Sequence, residues 1–362
     1  MTKAWHPAYV LVGLLMALPL IAAVPLASPV ARIAVTASPT YLYTVGILVL
    51  FAGWIGQRDG WLGLLVGWLG LSLLWTPTVG AFETAETITM SAFALLMMQA
   101  LPRERHGLVV SVLVATGLFQ VADGLQQFIG YDVLWHGLSP IVPIKAIFGT
   151  TGNSNYYGVY LAMIAPLAPW WAVPFFLVGI LLSHSLLGVV AVSAGLLWRV
   201  RDQRWLCGGM LVAGLLAFVL VTLWKGPDAY SGLAHRLTVW RLALSHLTDV
   251  GWLIGAGPGS WATQVPALQQ QAQIYPNEVF LQGHNEWLQL LYENGLLAVT
   301  CLLGWLWAHR QAWTGPYGGA CLSILICSLG MFGFRLAMTG CVALVILGLA
   351  TSKATNPEEC AT

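Results

Sequence analysis

His284, at the head of the segment HNEWLQLLYENG, is the residue of this chain best suited to move a proton. A neutral imidazole placed where a long apolar helix meets a polar surface can take the proton of a sugar hydroxyl while that hydroxyl attacks an anomeric carbon. The plainer reading is a histidine that caps the helix. Glu286 and Glu293 lie seven residues apart on the same expected helix and so share a face. Carboxylates inside an apolar span usually face a bundle interior or a cavity, which makes both candidates to orient His284 or to hold acceptor hydroxyls. Arg236 and Arg241 come earlier, five residues apart, and point roughly 140° from each other on one helix, so they need not share a ligand. Each guanidinium offers a planar fork of donors suited to phosphate oxygens, and at a membrane surface a lipid pyrophosphate is a fitting partner. The alternative is an arginine reaching for lipid headgroups.

Other motifs carry weaker signals. GTTGNSNYYG (149–158), with Asn153 and Asn155, can present backbone N–H groups to phosphate ahead of a helix, yet it is neither a Walker pattern nor a dinucleotide fingerprint, and a simple turn before a helix also explains it. GAGPGS (255–260) lacks the Lys-Ser/Thr ending and the preceding strand of a P-loop, which argues against nucleotide binding. Asp123 and Arg335 stand as isolated charges near span ends, marking either an ion path or ordinary helix ends. The six cysteines form neither a disulfide framework nor a CxxC metal pair, and Cys321 and Cys327 read as small helix-packing residues. The 18 tryptophans fit interfacial belts, although Trp240, Trp252 and Trp261 could also stack on sugars.

The elements that must position these residues are membrane helices. Apolar residues make up 58% of the 362 positions and charged residues 8%, far too few for a soluble shell. A net charge of +1 without a basic block excludes an electrostatic footprint for nucleic acid. Apolar runs near the length of a bilayer crossing begin near Tyr9, Tyr41, Trp61, Thr87, Gly107, Tyr156, Trp171, Leu186, Trp205, His284, Pro316 and Arg335. The expected architecture is therefore all-α: a single polytopic membrane domain over 1–362, with about twelve transmembrane helices. The run from Tyr9 to Leu26 reads as a retained anchor rather than a cleaved signal peptide.

Lys3, Arg58, Arg103, Arg105, Arg199, Arg201, Arg204, Arg310 and Lys353 place their short loops, and both termini, in the cytoplasm. That orientation requires Trp171 to Trp198 to form two half-crossings that turn at Ser183, His184 and Ser185 on the outer side, as only a protein-lined or water-lined site permits. It also puts 225–283 outside as one large periplasmic loop. Within it HRLTVWRLALSHL, with Leu237, Trp240, Leu244 and Leu247 at helical spacing, reads as an amphipathic helix, GWLIGAGPGSW as a turn-rich loop, and VPALQQQAQIYP as a short helix ended by Pro276. A second outer loop, 125–155, carries Asp132, His136 and Lys145.

Four segments together resemble the O-antigen ligase and polymerase superfamily of bacterial membrane glycosyltransferases. FGTTGNSNYYGVYLAMIAPLA is similar to the family's Gly-Asn-x-Asn segment, and SHSLLGVVAV to its Ser-Arg-Gly segment. RLTVWRLALSHLTDVGWLIGAGPGSW is similar to the Arg-x3-Trp helix and Gly-x-Gly turn of the large outer loop, and HNEWLQLLYENGLLAV to the His-Asn helix that follows. Order and spacing agree from about 148 to 300, whereas the first 147 residues match only as apolar spans.

The resemblance implies a fold of the GT-C type in the bacterial inner membrane and an inverting, metal-independent transfer from an undecaprenyl-pyrophosphate-linked glycan, with no cofactor. Arg236 would bind the donor's pyrophosphate and His284 would activate the acceptor hydroxyl, with Arg241, His184, Asn153, Asn155, Asn285 and Glu286 in support. His184 departs from the pattern, standing where the family usually has an arginine; a nearby pyrophosphate would favour its protonated form. Lipid A core is the first-choice acceptor. Polymerisation of repeat units on the carrier and glycosylation of a protein are the alternatives within the family, and a polysaccharide or lipid-glycan transporter is the alternative outside it. The absence of a second copy of the long outer loop speaks against the transporter.

Overall fold

A computed structural model describes residues 39–76, 81–136, 144, 146–226, 231–275, 278–331, 334–335 and 337–352. Lys3, the run from Tyr9, Lys145, Pro276, Lys353 and Cys360 lie outside the described residues. Helices α1 (Pro39–Gly56), α2 (Gly60–Ser72), α3 (Ala81–Gln99) and α4 (Arg103–Phe128) come first, followed by α5 (Ser154–Ile164), α6 (Val173–Leu182) and α7 (Leu186–Arg199). Then come α8 (Arg204–Lys225), α9 (Ser231–Val250), α10 (Ser260–Gln271), α11 (Glu286–Ala308), α12 (Gly318–Gly330) and α13 (Ala337–Thr351). Among the described residues there is no β-strand.

A helix begins within a few residues of every expected run after the first. Three of them, α4, α8 and α11, are long and apolar enough to cross a bilayer by themselves; the other apolar helices, over their described side chains, run 10–17 residues. The fold is thus helical throughout and compatible with a membrane protein. Helix α8 illustrates why: it is apolar all round, and Leu211, Val212, Leu215, Leu216, Val219, Leu220 and Leu223 are all exposed. An uncovered apolar surface of this extent suits contact with lipid.

The core is built around α5, whose residues Tyr157 to Ile164 are buried on every side. Glycine permits the closest approach: a Cβ on Gly188 would lie 2.9 Å from the backbone of Gly158, so α5 and the first turn of α7 touch main chain to main chain. A second cluster joins Val239, Ala243 and Leu247 of α9 to Trp261 and Val265 of α10 and Tyr292 of α11. The buried stripe of α9 is therefore Val239, Ala243 and Leu247, with Trp240 and Leu244 packed beside it, while the expected stripe member Leu237 is exposed. Helix α10 starts at Ser260 and continues through Pro266 to Gln271, earlier at both ends than VPALQQQAQIYP suggested.

The loops rich in arginine gather at one end. Asp59 accepts from Trp305 Nε1 at 2.8 Å and lies 3.4 Å from His309. Trp198 donates to the Trp313 carbonyl at 2.8 Å, Arg201 to that of Thr314 at 3.0 Å, and His106 is 3.1 Å from the Tyr317 hydroxyl. Helices α7 and α11 end here and α12 starts here; their other ends form the site described next.

Candidate functional site

At the far end of these helices α9 packs against α10 and α11. Its Arg236, half-buried, donates from Nη1 to the carbonyl of Gly330 at 3.0 Å, at the end of α12. Gly330 in turn is pressed against Leu187, where an added Cβ would meet that side chain at 3.0 Å, so Arg236 stands over the start of α7. His184 lies just before that start, held by its serine neighbours. Ser183 Oγ accepts from Ser185 N at 3.2 Å and Ser185 Oγ caps the helix at Gly188 N, 3.1 Å away. The helix break falls at the expected turn of Ser183, His184 and Ser185.

His284 is fixed from both sides. The carbonyl of Gly283 accepts from Trp240 Nε1 at 2.6 Å, and its N–H donates to Gln289 Oε1 at 2.8 Å. On the other side Asn285 Oδ1 accepts from Leu288 N at 2.9 Å. Asn285, not His284, is thus the cap of α11. Arg236 and His284 are close enough for the guanidinium to act on the ring: burial first, then the charge of Arg236, pushes the His284 imidazole down to about 4. A neutral, proton-accepting ring at neutral pH follows. Both histidines adopt left-handed backbone, with φ of 56° at His184 and 49° at His284. Such strain in residues with a Cβ persists only where surrounding contacts enforce it, and it concentrates at functional positions.

The charge around Arg236 is of one sign. Lys225, at the end of α8, lies close enough to repel both Arg236 and His184. The preceding residue, Trp224, packs on the His184 ring with centroids 4.0 Å apart. Tyr156, in the first turn of α5, is within electrostatic reach of Arg236. Among the described residues no ion pair joins Arg236 or Lys225 to a carboxylate. The nearby acids on α11 are engaged elsewhere: Glu286 Oε2 is 3.4 Å from Arg335 Nε, and Glu293 Oε2 is 2.8 Å from Arg335 Nη2. Glu286 Oε1 also accepts from Phe334 N at 2.8 Å.

The remaining expected site residues divide. Asn153 caps α5, its Oδ1 accepting from Asn155 N at 2.9 Å, while Asn155 sits half-buried in the first turn. Arg241 is exposed and points away from Arg236. Arg335 is not isolated, as the sequence suggested, but the shared partner of Glu286 and Glu293. Nor is Asp123, whose Oδ2 is 3.5 Å from Gln127 Nε2; that amide also donates to Asp132 and to the Gly149 carbonyl, and Gln127 Oε1 accepts from Gly149 N at 2.9 Å. The acidic pair thus underpins the loop that leads into α5. Cys321 and Cys327 are buried packing residues of α12. Trp261 is buried, donating to the Phe280 carbonyl at 3.1 Å, and serves packing.

The sequence reading missed two features. Lys225 enters that reading only as the first residue of the 225–283 loop. The second is a break in α11 at Gly295 (φ 71°, ψ −175°), into which the loop 251–257 is inserted. Ala256 and Gly257 donate to the carbonyls of Tyr292 and Glu293 at 2.8 and 2.7 Å, while Leu296 and Leu297 donate to those of Trp252 and Leu253 at 2.9 and 3.3 Å. Backbone groups freed in an apolar setting cost several kcal/mol each unless paired, roughly as in a bilayer core, and this loop pairs them. The GAGPGS turn is a backbone plug for a broken helix.

No protein-family model matches the chain, and no curated protein matches it either.

Proposed function

We propose that this chain is a glycosyltransferase of the bacterial inner membrane that moves a glycan from undecaprenyl pyrophosphate to lipid A core. In this reading both termini are cytoplasmic and the site opens to the periplasm. One observation carries it: Arg236 and His284 share a site at the end of the bundle opposite the arginine-bearing loops. The positive-inside rule supports reading that site as periplasmic.

His284, neutral through burial, accepts the proton of an acceptor hydroxyl as its oxygen bonds to the anomeric carbon. The bond from that carbon to the pyrophosphate oxygen breaks on the opposite face, and the electron pair leaves with a pyrophosphate whose charge Arg236 offsets. Attack opposite the leaving group inverts the anomeric centre. The test is transfer in reconstituted membranes from an undecaprenyl-pyrophosphate oligosaccharide to lipid A core. Product should form with the wild type and be lost in Arg236→Ala and His284→Ala. Longer glycans left on the carrier would make the reaction a polymerisation.

A transporter of lipid-linked glycan is the second reading, and the helix breaks at His184 and Gly295 favour it, since interrupted helices line many transport sites. Movement of the labelled lipid across proteoliposomes without any new glycosidic bond would establish it over the first.

A further inference from the structure

We propose that Lys225 is a second anion-binding residue of this site, paired with Arg236 so that the two cations select a lipid carrying a pyrophosphate over one carrying a monophosphate. The inference rests on Arg236 as a phosphate-binding residue and adds what recognises the second phosphate.

Lys225 and Arg236 come from different helices and repel each other, with no carboxylate paired to either among the described residues. Folding gathers like charges only at a cost, and a bound anion reverses its sign. The position of Lys225 in the last turn of α8 could be put down to the helix dipole alone. A dipole does not explain why this turn sets Trp224 on the His184 ring and Lys225 within electrostatic reach of Arg236. The third observation is His184 itself: the residue is 8% exposed, and its buried Nε2 has no hydrogen-bond partner among the described residues. A buried ring nitrogen without a partner, beside a lysine and against Trp224, is completed by a phosphate oxygen.

The class of ligand follows from α8. Its exposed apolar residues Leu216, Leu220, Leu223 and Trp224 lead up to Lys225 in the last turn of the helix. An amphiphile with a long apolar chain and an anionic head matches that sequence of surfaces, whereas a free anion uses only its end. Charge spread over two phosphorus centres is met better by two separated cations than by one, and a monophosphate engages Arg236 and leaves Lys225 unmatched.

The test is binding of undecaprenyl pyrophosphate, undecaprenyl monophosphate and inorganic pyrophosphate to the full chain in detergent. Wild type should prefer the pyrophosphate lipid over the monophosphate lipid by about tenfold, as expected for one added charge-assisted contact. Lys225→Met and Lys225→Gln should abolish the preference, and Lys225→Arg should keep it, at unchanged thermal unfolding temperature. A preference that survives in Lys225→Met and Lys225→Gln overturns the inference and leaves the role of Arg236 intact. Failure of wild type to bind either lipid overturns both. Inorganic pyrophosphate binding as tightly as the lipid overturns the lipid assignment.

Discussion

Gly255 and Gly295 meet backbone to backbone, so closely that a Cβ on Gly255 would fall 2.6 Å from the Gly295 nitrogen. Both residues have positive φ, 72° and 71°, a conformation that side chains disfavour. The contact is what allows the loop from Gly251 to Gly257 to hydrogen-bond across the break in α11. Gly255→Ala should therefore lower stability by about 3 kcal/mol, from left-handed strain and overlap together. Gly46→Ala, inside α1 where an added Cβ meets nothing within 4 Å, is the control and should not lower thermal unfolding in detergent, since alanine is favoured over glycine in a helix.

Arg335 is shared by two carboxylates whose side chains are 13% and 2% exposed, Glu286 and Glu293. Its removal leaves both without their cation in a largely water-free setting. Arg335→Ala should cost about 3–5 kcal/mol in unfolding experiments. The triple variant Glu286→Gln, Glu293→Gln, Arg335→Met removes the charges together and should recover most of that loss. A triple variant as unstable as Arg335→Ala would mean that the guanidinium contributes through packing instead.

Much of this arrangement was legible because bilayer crossing imposes a period and a length that composition exposes. A helix starts near every expected apolar run after the first, and the turn at Ser183, His184 and Ser185 follows from loop charge alone. What escaped the sequence was long-range. Glu293-Asn294-Gly295 offers a local sign of a helix break, a polar residue and a glycine in mid-span, but nothing near it says that residues 251–257 fill the gap. Lys225 looked like a loop boundary because its meaning comes from Arg236, eleven positions on, folding back over α7. The sequence suggests His284 as a helix cap, whereas Asn285 Oδ1 accepts from Leu288 N and caps α11 instead.

Trp240 holds the strand of loop before His284 through the Gly283 carbonyl at 2.6 Å. Trp240→Phe keeps the ring packing and deletes the donor, so global stability should fall by only about 1 kcal/mol. Backbone amide exchange over 280–285 should nevertheless accelerate, and glycan transfer should drop more than stability does. Unchanged exchange in that segment would place the restraint on Gln289 alone, whose Oε1 holds Gly283 N at 2.8 Å.

His284 makes the pH dependence of ligand binding a test of where the anion sits. Its imidazole is pushed from 6.5 down to about 4 in the folded chain, so between those values the unfolded chain carries the proton and the folded chain does not. The stability that comes from burying the neutral ring is therefore present above about pH 6.5 and is lost as pH falls toward 4. An anion bound beside Arg236 cancels the repulsion that Arg236 exerts on the ring and adds attraction, which raises the imidazole's affinity for a proton. Titration of undecaprenyl pyrophosphate into the protein at pH 5, in buffers of different ionisation heat, should then reveal proton uptake. Uptake should be absent at pH 8, where even a raised imidazole stays neutral, and reduced in His284→Gln at pH 5. Equal uptake in His284→Gln would put the bound anion out of reach of His284 and separate the phosphate site from the proposed base.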